Sequence, residues 1–231
     1  MKTIGLIGGM SWESTQLYYQ QLNEGIKQHL GGLHSAKIVL YSVDFAEIEH
    51  YQKNNQWDLA AQCLADAGIR LKLAGADFIV LCTNTMHKVA TQIENQSKLP
   101  LLHIADATGE RIAQSGLKKV GLLGTAFTME QSFYKDRLIE KFNLDVLTPT
   151  ADDRKIVHNI IYNELCLGQI NQQSKKEYQR IMSSLVEQGA EGIILGCTEI
   201  TLLVNEKDTT VKVFDTTAIH AQKAVEVSLF I

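Results

Sequence analysis

Cys197 stands in Gly196-Cys197-Thr198-Glu199, where the apolar run of GAEGIILGCTEI (Gly189–Ile200) gives way to small polar residues. A free thiol is either a small buried apolar residue or a reactive group. An earlier stretch, GADFIVLCTNT (Gly75–Thr85), has the same form. Laid together from Gly-Ala without a gap, Leu81 falls on Leu195, Cys82 on Gly196, Thr83 on Cys197 and Asn84 on Thr198. One residue of shift on a strand turns a side chain to the opposite face. The spacing therefore predicts Thr83 as the counterpart of Cys197, with Cys82 turned into its own lobe, and leaves Cys82 as the alternative partner. To act as a base the thiol must ionise, so its free value of about 8.5 should be lowered locally. A threonine hydroxyl is a far weaker acid.

The elements that hold these residues repeat as well. KTIGLIGGM (2–10) matches KKVGLLGTA (118–126) nearly position for position. Lys2–Gly8 and Lys37–Val43 read as strands, with a helix from the turn at Met10–Ser14 to about Gln28 between them. Trp57–Ala74 reads as a helix closed by Gly75, before strands at Phe78–Leu81 and Leu101–Ile104. In the second half, Thr128 and Gln131 are spaced as a helix-capping pair, and so are Ser174 and Glu177. The helix Asn171–Gln188 carries an apolar stripe at Tyr178, Ile181, Met182 and Leu185, and Thr216–Leu229 forms a final helix. HIADAT (103–108) and VFDTTA (213–218) echo each other after the two tips.

Strands alternating with helices predict an α/β fold with parallel sheets. A repeat offset above 110 residues is too long for a solenoid, so it predicts two pseudo-symmetric lobes, each a parallel sheet flanked by helices. Residues 1–104 with 216–231 would form the first lobe and 105–215 the second. Ligand sites of parallel sheets lie at strand tips, which places the expected active site in a cleft between the lobes.

Composition narrows the function. The 231 residues carry a net charge of −4, with 45% apolar and 21% charged residues, as in a globular protein. The slight acidity speaks against nucleic acid, and no apolar run is long enough to span a membrane. The glycine-broken N-terminus reads as a first strand and suggests a cytoplasmic chain. The four cysteines, Cys63, Cys82, Cys166 and Cys197, show no C-x-x-C spacing, so neither a disulfide framework nor a zinc site is expected. Cys63 and Cys166 read as core or helix-face residues. His87 and His220 read first as structural histidines. Gly5-x-x-Gly8-Gly9 lacks the rest of a nucleotide-binding fingerprint.

Thr83-Asn84-Thr85-Met86-His87, Gly196-Cys197-Thr198-Glu199 and the opening Gly8-Gly9-Met10 together resemble the aspartate/glutamate racemase superfamily over essentially the whole chain. The family places a cysteine where Thr83 stands. Gly-Gly-Met-Ser-Trp-Glu-Ser-Thr and Cys-Thr-Asn-Thr-Met-His are most like its L-aspartate/glutamate-specific subgroup, which has threonine there. The resemblance implies a racemase that needs no pyridoxal phosphate or metal, taking a small-molecule amino acid as substrate and forming a homodimer. One catalytic residue would take the α-proton on one face and another would deliver a proton to the other. Thr83 and Cys197 are the implied pair. Met10, Gln52, Asn84, Thr85, Thr125, Thr198 and Glu199 are the implied substrate-binding residues, and Glu199 or His87 would tune the acid–base group.

The missing cysteine implies a kinetic bias, with Cys197 abstracting readily from the L enantiomer and slow abstraction from the D enantiomer. Acidic substrates are implied by the resemblance. The cations that relatives acting on aspartate use are absent from Glu47–Gln52 and from Glu164-Leu165-Cys166, so a broader set fits equally. A single cysteine at the second tip also suits decarboxylases of substituted malonates in the same superfamily. A non-catalytic amino-acid binding protein is the remaining alternative.

Overall fold

The computed structural model describes residues 1–230. Backbone contacts divide it into two units, Met1–Ile104 together with the chain from His220, and Ala105–Ile219. Each contains a four-stranded parallel sheet flanked by helices.

In the first unit β1 (Ile4–Gly8), β2 (Ile38–Ser42), β3 (Phe78–Leu81) and β4 (Leu101–Leu102) lie in the order β2-β1-β3-β4. Every residue of β1 and β3 is buried. A central strand of a parallel sheet is covered on both faces, so its sequence is a continuous apolar run rather than an alternation. Helices α1 (Trp12–Leu30), α2 (Phe45–Lys53), α3 (Trp57–Leu73) and α4 (Ala90–Ser97) complete this unit with part of the last helix, α10 (Thr216–Leu229). One cluster gathers Ile7, Ile48, Leu64, Ile79 and Leu81, and a second gathers Leu6, Tyr18, Leu22, Val80, Cys82 and Val225.

The second unit repeats the plan after α5 (Ile104–Gln114), with β5 (Lys119–Gly124), α6 (Ala126–Glu130), α7 (Ser132–Phe142), β6 (Asp145–Leu147), α8 (Ala151–Asn163), α9 (Gln172–Glu187), β7 (Gly192–Gly196) and β8 (Lys212–Asp215). The sheet order is β6-β5-β7-β8. The expected stripe Tyr178, Ile181, Met182 and Leu185 is buried in its core. Side chains of that kind contribute about 1.5–3 kcal/mol each on burial.

Strand register tests the alignment of the two halves. Ile4 pairs with Phe78 and Leu81 with Ile7, while Val120 pairs with Gly192 and Leu195 with Leu123. Since Ile4 corresponds to Val120, Leu81 corresponds to Leu195, and two residues further on Thr83 corresponds to Cys197 in the repeat. After the tips the register differs from the sequence echo. Leu101 pairs with Ile79 and Val213 with Ile193, so Leu101, not His103, corresponds to Val213.

Glycines end α3 and α9 where expected, Gly75 at φ 91° and Gly189 at φ 96°. The two capping pairs are corrected. Thr125 caps α6 by accepting from the Thr128 amide, and Asn171 caps α9 by accepting from the Gln173 amide. Ser174 instead lies inside α9 and donates to Glu164 at 2.6 Å. The short helices α2 and α4 were not anticipated.

Candidate active site

β7 delivers its last residue, Gly196, to a tip where Cys197 is extended and a 3-10 turn begins at Thr198. A Cβ on Gly196 would lie 2.8 Å from the Leu123 carbonyl oxygen, so only glycine lets β7 approach β5 this closely. Cys197 is 9% exposed. Its Sγ donates to Glu199 Oε2 at 2.9 Å, and Glu199 is itself buried. The thiol pKa is pushed well above its ordinary value, first by burial, then by the Glu199 carboxylate and by Cys166. This corrects the expectation of a lowered thiol: at rest Cys197 is protonated, and its proton is already shared with an acceptor.

The surrounding groups hold this tip in place. The Thr217 hydroxyl donates to the Thr198 hydroxyl at 3.1 Å, and Thr216 donates to the Leu195 carbonyl at 2.8 Å. Asp215 accepts from the amides of Thr217 and Ala218, so the start of α10 is tied to the tip of β7. Cys166 packs against the core cluster that contains Cys197.

In the first unit, Cys82 is fully buried in the cluster of Leu6, Tyr18 and Val80, its side chain inside its own sheet–helix layer. Burial pushes that thiol far up. Thr83 follows at the tip, half-buried. Two consecutive carbonyls here are held by side chains. Ser14 at the start of α1 donates to Cys82 O at 3.1 Å, and His87 Nδ1 lies 2.8 Å from Thr83 O. Asn84, Thr85 and His87 are buried in the turn that continues the tip.

His87 and His220 are engaged as structural histidines, as read first from the sequence, and the tuning role implied for His87 is corrected. A carbonyl only accepts and an amide only donates. His87 Nδ1 therefore donates to Thr83 O, and Nε2 accepts from Ile104 N at 3.2 Å. His220 Nε2 donates to Leu102 O at 2.9 Å, and Nδ1 accepts from Tyr18 Oη at 2.8 Å. Burial depresses both, His220 to about 4 and His87 well below its ordinary value with a further push from His103 and His220. Both rings are neutral and fully engaged.

The remaining residues have distinct settings. Met10 and Gln52 are buried in the first unit, Met10 within an apolar cluster and Gln52 donating to Met86 Sδ at 3.0 Å. Thr125 uses its hydroxyl to cap α6 and lies 3.2 Å from the Thr128 hydroxyl. His158 was missed by the sequence reading. Its Nδ1 accepts from the Ala126 amide at 3.2 Å, and no motif announces it because its helix is far away along the chain. Lys88 was missed too. Its Nζ sits 3.7 Å above the Trp57 ring, with no ion pair among the described residues, and burial lowers its pKa. Its place directly after the Thr83–His87 motif was the available signal. The four cysteines are free. Among the described residues no three metal-ligating side chains gather, and no helix is long and apolar enough to cross a membrane.

Comparison with known proteins places this geometry. The family model for Asp/Glu/hydantoin racemases matches residues 7–224. A Yersinia pestis protein solved as a candidate Asp/Glu racemase is 60% identical, covering 99% of this chain and 100% of its own, with a TM-score of 0.94. An aspartate racemase homologue from Pyrococcus horikoshii is 35% identical over 99% of this chain and 100% of its own, with a TM-score of 0.83. The broad specificity amino-acid racemase RacX of Bacillus subtilis is 23% identical over 241 residues, 98% of each chain. Two like-ordered parallel sheets, a Gly-Cys-Thr-Glu tip and a match over most of the sequence converge: the chain belongs to the Asp/Glu/hydantoin racemase family.

Proposed function

We propose that this chain is an amino-acid racemase that works without pyridoxal phosphate. The observation that carries the reading is the buried hydrogen bond from Cys197 Sγ to Glu199 Oε2, 2.9 Å long at the tip of β7. A thiol protonated at rest cannot take a proton from carbon. It can do so once Glu199 accepts the thiol proton, leaving a thiolate that removes the α-proton of the L enantiomer. The products of that step are the Cys197 thiol, the protonated Glu199 carboxyl and a planar carbanion at Cα. Amide N–H groups at the glycine-rich tips supply donors for the carboxylate of the carbanion.

Delivery on the opposite face falls to Thr83. Its hydroxyl proton passes to Cα to give the D product, and solvent reprotonates the oxygen as Glu199 releases its proton. The reverse direction would need a threonine alkoxide as base, whereas the forward one needs only a thiolate. The bias is kinetic, because the two enantiomers have equal free energy and no catalyst shifts their ratio. L-Aspartate and L-glutamate, or a broader set of amino acids, are the substrates of this reading.

The test is α-proton exchange in deuterated buffer with a panel of L-amino acids, on the wild type and on Cys197→Ala. Exchange and D-product formation should both vanish in the variant, and persistence of either refutes the role of Cys197.

The protonated thiol also favours a second reading. A resting Cys197 thiol suits a proton donor to the carbanion left by decarboxylation of a substituted malonate. Carbon dioxide release from such an acid, without α-exchange on any amino acid, would replace the racemase reading.

A further inference from the structure

The first tip depends on a residue that touches no reacting atom in the mechanism above. We propose that His87 is a positioning residue, which fixes the peptide of Thr83 and so aims the Thr83 hydroxyl. This rests on the reading of Thr83 as the proton donor to the second face.

The two ring nitrogens of His87 hold two different backbone groups. Nδ1 donates to the Thr83 carbonyl at 2.8 Å and Nε2 accepts from the Ile104 amide at 3.2 Å. The ring thus bridges the exit of β3 to the start of α5, two backbone points that share no strand pairing. Thr83 needs such a support. It lies beyond the last paired residue of β3, Leu81, and its own amide only folds back to the Leu81 carbonyl at 2.8 Å. With Ser14 holding the preceding carbonyl of Cys82, both peptide units around the Thr83 amide and carbonyl are held by side chains.

The second unit meets the same need differently. Thr201 stands where the repeat places His87, and it only donates to the Thr198 carbonyl within its own turn. There the tip is tied to the following helix through Thr217 and Thr198. His87 is 2% exposed and lies among His103, at 4.6 Å between ring centres, and His220, at 5.7 Å. A ring in that setting stays neutral and keeps its donor on Nδ1.

Two substitutions separate the two bonds. Asparagine places an amide nitrogen near the position of Nδ1 and can keep the bond to Thr83. Glutamine reaches the position of Nε2 and can keep only the bond to Ile104. The readout is a ratio, D-product formed over deuterium incorporated into recovered L substrate, which is independent of how much of the sample is folded. His87→Gln should lower that ratio about fivefold, the scale of one lost hydrogen bond, and His87→Asn should leave it near wild type. Thr83→Ala should lower it at least as far.

A ratio unchanged in His87→Gln but lowered in Thr83→Ala overturns the positioning role alone. A ratio unchanged in Thr83→Ala overturns the role of Thr83 and this proposal with it. If His87→Gln does not fold, nitrogen NMR of the wild type decides. A ring protonated on Nδ1 and free of titration between pH 5 and 8 agrees with the proposal, and a ring protonated on Nε2 or titrating there contradicts it.

Discussion

At the scale of single residues the proposed chemistry turns on one thiol and the carboxylate that accepts its hydrogen bond. Beyond the effect of burial, Glu199 raises the pKa of Cys197 by its charge and by accepting the hydrogen bond of the protonated thiol, so removing that charge must make the thiol more acidic. Glu199→Gln is therefore expected to shift the pH profile of Cys197 alkylation to lower pH, while racemisation slows because the proton acceptor is gone. A profile that stays in place, or moves up, would show that Glu199 does not control the thiol. Cys197→Ala should reduce activity by at least about 100-fold, the lower end of what a positioned acid–base group contributes. Thermal unfolding checks that the fold survives, since only a sulfur atom is lost from the core, at a cost of about 1 kcal/mol. The neutral, doubly bonded state of His87 separates it from this chemistry, although its place in the motif invites the opposite view.

At the scale of elements, close approach at the strand tips sets the positions of the proposed reactive groups. Gly9 follows β1 at φ 94°, and a Cβ there would lie 2.1 Å from the Val43 carbonyl oxygen. Gly9→Ala should destabilise the first unit by about 2 kcal/mol or more, from backbone strain and overlap together, measurable by urea unfolding. A change below about 0.5 kcal/mol would mean that the tip relaxes freely. Much of this level was legible in the sequence. The runs IGLIG, FIVL and GIILG read as buried parallel strands because both faces are covered, and the gapless alignment of the two tips agrees with the register. The caps were not legible: spacing favoured Thr128 and Ser174, whereas the extended backbone at Thr125 and Asn171 makes those residues the caps. The raised thiol pKa was hidden for a similar reason, since burial depends on packing that no local motif records. The partners of His87 and His158 come from distant segments, beyond the reach of any spacing rule.

At the scale of the whole molecule the two units carry different loads. The buried His220 and His87 belong to the first unit, and both have folded pKa values below the unfolded value of about 6.5. The folded chain then binds fewer protons than the unfolded chain in mild acid, so stability is complete above about pH 6.5 and falls as pH drops toward the folded values. From about 6.5 to about 4, His220 alone accounts for a loss of about 3 kcal/mol, and His87 acts in the same direction. Hydrogen exchange at pH 5 should show protection lost first in residues 1–104, ahead of 105–219, and His220→Gln should flatten the dependence of Tm on pH. Equal loss in both units, with an unchanged slope in the variant, would count against this account. The proposed mechanism carries a like inequality, with a thiol hydrogen-bonded to a carboxylate in one unit and a hydroxyl in the other. The most direct measurement is the rate of α-deuterium incorporation into each pure enantiomer at saturating concentration in deuterated buffer. Rapid exchange from the L form and slow exchange from the D form is the predicted result, and equal rates from both would contradict it.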